Sequence, residues 1–134
     1  MTGVQTCALP ICFPVTIATD TLVGKATIDT LTNKNVRNTL NSQAVNYTLQ
    51  SSDAGKIVVA SGGITVTLNN SVFTAGDVFN IINNDSSTAQ IAIGSGATVF
   101  IVGTSYTNTT FPLDPRRFLQ IYCQAATTFY AISG

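Results

Sequence analysis

Histidine, glutamate and tryptophan are absent from this 134-residue chain, and methionine occurs once. Without histidine the commonest general base is missing, and so is the one side chain whose unperturbed pKa lies near neutrality. Neither a Ser-His-Asp nor a Cys-His site can be assembled from these residues. Charge is scarce too: 9% of residues are charged, against about 25% in a typical soluble domain. Six basic residues (Lys25, Lys34, Arg37, Lys56, Arg116, Arg117) balance six aspartates. No cluster of cations exists to neutralise phosphates, so neither nucleic acid nor an anionic membrane surface is an expected partner. No apolar run is long enough to span a bilayer, and no membrane insertion is expected. A net charge of zero gives little protection against self-association. Two explanations fit: a surface made polar by Thr, Ser and Asn, or a surface buried against other copies.

Cysteine is sparse, and two of the three thiols fall in the opening stretch MTGVQTCALPIC. Read back into codons, residues 1–11 match the conceptual translation of a common short-read sequencing adapter. Residues 1–12 are therefore expected to lie outside the fold. The competing reading, a signal peptide, lacks both a preceding basic residue and a small-x-small cleavage site. That leaves Cys123, inside the apolar run FLQIYCQ, as a buried small hydrophobe. No disulfide framework and no metal-ligand spacing is present.

What the chain does contain is β-forming. Thr, Asn and Ser dominate the polar residues, and Val, Ile, Phe and Tyr the apolar ones, while the strong helix formers are scarce. Residues 13–44 are polar with thinly scattered apolar positions and read as a linker or stalk. From Val45 onward strand-like runs alternate with turn signals. Val45, Tyr47 and Leu49 share one face of a strand, because successive side chains point to opposite sides. KIVVA, ITVTL, DVFNII, AQIAI, ATVFIV, RFLQIYCQ and TTFYAI follow. ITVTL alternates most cleanly, and ATVFIV is apolar on both faces. Pro112 and Pro115 bracket a bend. About eight short strands at close spacing predict an all-β domain over 45–134, an antiparallel β-sandwich or barrel-like (jelly-roll-like) body preceded by the irregular linker.

Motifs for chemistry fail on inspection. Gly55-Lys56 lacks the earlier glycine of a phosphate loop, because Gln50 stands there, and Gly94-Ser95-Gly96 has Val99 where a dinucleotide fingerprint needs its third glycine. Asp53, Asp85 and Asp114 fall in turns, where aspartate serves the backbone. No catalytic residue, cofactor site or metal site is expected, and the chain is not expected to be an enzyme. Within SSDAGK, Ser52 or Asp53 is expected to cap one helical turn by accepting a backbone N–H. Gly55 is expected to end that turn in the left-handed conformation, and Lys56 to open the next strand. Tyr106, in the loop TSYTNTT, and the Arg116-Arg117 pair after the proline bend are candidate surface contacts, although a solvated turn is the favoured account of the arginines.

YTLQSSDAGK at residues 47–56, followed by a strand and SGG, resembles a module at the ends of tailed-bacteriophage tail-fibre and related virion proteins. The resemblance extends through Phe73, Gly76, the run Ile81-Ile82-Asn83-Asn84 and the turn Gly94-Ser95-Gly96. Upstream, Asp29 to Lys34 (DTLTNK) is similar to a signature of linkers in phage structural proteins. The match departs at Arg116-Arg117-Phe118, where an arginine followed by glycine is the pattern. The resemblance implies a non-enzymatic virion component, a tail fibre or related appendage. It also implies a homotrimer in contact with other virion proteins, with a host-surface glycan as a further partner. Two alternatives remain: a carbohydrate-binding module or bacterial surface adhesin domain, and a non-catalytic fragment of a larger β-rich depolymerase.

Overall fold

Alternation of apolar and polar side chains gives each strand one face to bury, and the strands sort accordingly. The computed structural model describes residues 37–104 and 110–134. The expected adapter-derived stretch 1–12, most of the linker 13–44 and Tyr106 lie outside the described residues. Ten strands follow in order: β1 (Leu40–Gln43), β2 (Tyr47–Thr48), β3 (Ile57–Ala60), β4 (Thr65–Leu68), β5 (Val78–Asn83), β6 (Ala89–Ile93), β7 (Thr98–Ile101), β8 (Phe111–Leu113), β9 (Phe118–Ala125) and β10 (Thr128–Ser133). Among the described residues the only helical element is a single 3-10 turn at Ser51–Asp53. The domain is all-β.

The strands form two sheets, one in the order β1-β3-β5-β9-β10-β7 and the other β2-β4-β6-β8. From β1 to β6 the chain changes sheet at every strand. Each return places the new strand beside its predecessor in the same direction. Thus β1 pairs parallel with β3 (Leu40 opposite Ile57), and β3 with β5 (Ile57 opposite Asn80). In the second sheet β2 pairs parallel with β4, and β4 with β6. The long hairpin β9–β10 then closes the first sheet, antiparallel to β5 on one side and parallel to β7 on the other. β8 closes the second sheet antiparallel to β6.

This corrects the antiparallel expectation: most strand pairs are parallel. Parallel neighbours need a long crossover, usually a helix. Here the crossover is a strand of the opposite sheet, so no helical segment marks it in the sequence. The side-chain period is two in either case, and periodicity alone does not distinguish them.

Two strands were not anticipated. β1 lies inside the segment read as linker, because its inward side chains are the amides Asn41 and Gln43, not aliphatic residues. β8 contains Pro112, and a proline is admissible there because β8 is an edge strand with no second neighbour to receive its N–H. Conversely Val45, expected on the buried face with Tyr47 and Leu49, falls in a turn and is exposed.

The inward residues of both sheets make one hydrophobic cluster. Val58, Val66, Leu68, Phe79, Ile81, Ile91, Leu119, Ile121 and Phe129 are among its members. Phe73, from the β4–β5 connection, stacks on Phe79 with ring centroids 4.3 Å apart and meets Phe129 edge-on at 6.4 Å. Cys123 is buried in the same cluster, as expected, and burial raises its thiol pKa, with Asp77 adding to the effect.

Candidate functional site

Residues 47–56, one part of the resemblance, form the corner between β2 and β3, whereas Asp29 to Lys34 lie outside the described residues. Gln50 ends the extended backbone, and the 3-10 turn Ser51–Asp53 reverses the chain. Asp53 is fully buried. Its Oδ1 accepts from Asn41 Nδ2 at 2.8 Å, and its Oδ2 accepts from the Tyr47 hydroxyl at 2.9 Å and from the Gln50 backbone N–H at 2.8 Å. Asn41 Nδ2 also lies 3.0 Å from the Tyr47 hydroxyl, and Gln43 Nε2 donates to Asn41 Oδ1 at 2.7 Å. Burial raises the Tyr47 pKa, and the hydrogen bond it donates to Asp53 raises it further.

Asp53 therefore does more than the sequence suggested. It sits at the end of the turn rather than at its start, reaches back to the Gln50 N–H, and ties the turn to β1 and β2. Ser52 is exposed. Gly55 has φ +74° and donates its N–H to the Val78 carbonyl at 2.7 Å, so the corner is also pinned to β5. Lys56 donates its backbone N–H to the Asp53 carbonyl and leads into β3.

A Cβ on Gly55 would meet nothing within 4 Å, so Gly55→Ala isolates the cost of the left-handed backbone. A loss of about 1–2 kcal/mol is expected in the urea unfolding free energy. An unchanged midpoint would mean that the turn relaxes without cost.

A second polar cluster lies at the β5–β6 turn. Asn83 is fully buried. Its Nδ2 donates to the carbonyls of Ser87 and Leu113, both at 2.8 Å, and its Oδ1 accepts from the Asp85 N–H at 3.1 Å. Arg116 has φ +61°, the left-handed position where the resembled pattern has a glycine one residue later. Its Nη1 donates to the Asn84 carbonyl at 2.9 Å and to Asn84 Oδ1 at 3.0 Å. Arg116 thus joins the β8–β9 turn to the β5–β6 turn within the chain. Arg117 is exposed and, with Leu113, Asp114 and Gly134, lines a shallow cleft of about 320 Å³.

Successive corners are laced together. Asn46 Oδ1 accepts from the Thr65 N–H at 2.9 Å, and Asp85 Oδ2 accepts from the Gly62 N–H. At the other end of the strands the turns approach so closely that a Cβ on Gly94 would lie 1.8 Å from Asn69 Oδ1.

The N–H groups of Gly62 and then Ser86 hold the half-buried Asp85 carboxyl below its ordinary pKa. A carboxyl with a depressed folded pKa stabilises the fold above its unfolded pKa of about 3.9, and that contribution disappears as pH falls through the lower folded value. Asp85→Asn is expected to flatten the stability-versus-pH curve below about pH 4. An acid limb identical to that of the parent protein in pH-jump denaturation would refute this role for Asp85.

Among the described residues no group of three or more Cys and Asp side chains is placed to hold a metal ion. Both oxygens of the buried Asp53 are engaged by donors from the protein itself, so neither is directed at a ligand. The parts sequence reasoning missed are Asn41, the Tyr47 hydroxyl and Asn83. For Asn41 a faint signal existed: Asn41 and Gln43 alternate, placing two amides on one side of a short run. No protein-family model, no curated protein and no solved structure matches the chain.

Proposed function

We propose that this chain is a non-enzymatic structural component of a phage virion, a tail fibre or related appendage. Its two sheets then act as a β-sandwich body that bears load rather than turning over a substrate. The observation that carries the reading is the Asp53 corner. Of the residues in the resemblance to virion modules, Tyr47 donates to Asp53, Asp53 is held to β1 through Asn41, and Gly55 is held to β5 through Val78 (2.7–2.9 Å). In this reading the motif locks a corner, which is what a mechanical module needs, rather than holding a ligand. The laced corners and the buried Asn83 serve the same purpose. Low charge and Thr/Asn-rich strands suit a protein assembled in the host cytoplasm and then exposed on a particle, as a homotrimer beside other virion proteins.

The reading is tested at the genomic locus. Genes for tail or baseplate proteins are expected on either side of this one. A longer contig that places it among metabolic or cell-wall genes overturns the virion assignment.

A further inference from the structure

The outward face of the larger sheet is where apolar surface collects. Val78, Tyr122, Tyr130 and Phe100 stand opposite one another in register across β5, β9, β10 and β7, making one unbroken row. Ile132 and Phe118 extend it along β10 and β9. Among the described residues, every large apolar side chain that stands exposed lies on this face, with exposures of 37–61%, except Val45 and Val102, which fall outside the strands. None of the outward residues of the six strands is charged.

We infer that this face is the surface on which a second copy of the chain docks. Area supports it. Aromatic side chains present about 150–250 Å² each and aliphatic ones less, so the exposed fractions leave on the order of 600 Å² of apolar surface together. A patch of roughly 300–600 Å² is already the largest a monomer usually shows. A stable interface needs about 800 Å² per partner, about 65% of it apolar when the partners are identical. Charge supports it as well. The chain has no net charge to repel its own copies, and an uncharged face offers a charged partner nothing to select. A sugar is the poorer fit, because the rings of Phe100 and Tyr130 stack on each other at 5.4 Å and 28°. One face of each ring is thereby closed to a sugar, which needs an open ring face to stack on.

The inference deepens the structural reading by naming the surface through which the body assembles. Light scattering after size exclusion, on the full chain, is expected to give a multiple of the monomer mass. Tyr122→Arg with Tyr130→Arg is expected to weaken association at least tenfold while circular dichroism shows the same folded spectrum. Ser95→Arg, in the Gly94–Gly96 turn, is expected to leave the mass unchanged. Should the double variant fail to fold, oxidative footprinting of the parent chain decides: Tyr122 and Tyr130 are expected to be several-fold less reactive in the assembled fraction than on dilution. A parent chain that is monomeric at every concentration overturns the inference. So does a folded double variant that stays assembled, equal tyrosine reactivity in both fractions, or capture of a different protein or glycan by this face. A monomer encoded among tail genes would sink this surface and the homotrimer with it, and leave the virion assignment standing. An assembled chain encoded elsewhere would do the reverse.

Discussion

Replacing Asp53 with alanine is expected to lower the unfolding free energy by about 3 kcal/mol, because three donors lose their acceptor in a buried place. The Asn41 amide, the Tyr47 hydroxyl and the Gln50 N–H converge on this one carboxylate. Each unsatisfied buried donor costs about 1–3 kcal/mol. Two effects reduce the total: the carboxylate's own desolvation cost is removed, and Asn41 keeps its contact to the Tyr47 hydroxyl. Tyr47→Phe removes the donor to Asp53 together with one acceptor of Asn41 and is expected to cost about 1–1.5 kcal/mol, since Asn41 keeps its bond to Asp53. The double variant should lose less than the sum of the two, since both changes break the same bond. Urea unfolding monitored by circular dichroism measures all three, with the midpoint moving and the slope constant. A loss below about 1 kcal/mol for Asp53→Ala would show that the corner is held by the backbone alone, and the structural reading of the motif would fall with it.

Phe79→Ala should be larger still, about 3–5 kcal/mol. Phe79 is fully buried on β5, where the parallel and antiparallel parts of the larger sheet meet, and it stacks on Phe73. Removing the ring leaves a cavity under the β4–β5 connection and strips Phe73 of its partner, so Phe73 retains only its edge contact with Phe129. A domain of this size is stable by about 5–15 kcal/mol in total, so the variant should melt well below the parent. If calorimetry put the two melting points within about 2 °C, the loss would be a fraction of 1 kcal/mol and the aromatic cluster would not be the centre of the core.

Some of this was legible in advance, for reasons visible at particular residues. ITVTL reads as a half-buried strand and is one, because Ile64, Val66 and Leu68 are apolar and the intervening threonines are not. Gly55 was legible because a chain reversing after SSDA needs a left-handed residue, and glycine adopts that conformation without strain. Arg116 was not, since a left-handed arginine has no sequence signature. What holds it is Asn84, 32 residues earlier. β1 went unread for a similar cause. Asn41 is a strand residue whose inward partner is a carboxylate twelve positions away, and polar alternation looks like loop until that partner is known.

Side-chain chemistry by itself determined that residues 45–134 are built mainly of strands and, for runs such as ITVTL, which face turns inward, because alternation and backbone preference act over a few residues. It also determined that no imidazole chemistry is available, because composition needs no folding to be read. Strand direction, the pairing of β1 with β3 and β5, the clamp around Asp53 and the aromatic row on the outer sheet were decided only by the tertiary structure. Each joins residues far apart along the chain. A period of two is the same for either direction of pairing, so nothing local to a strand says which neighbour it will find or which of its faces will stay uncovered.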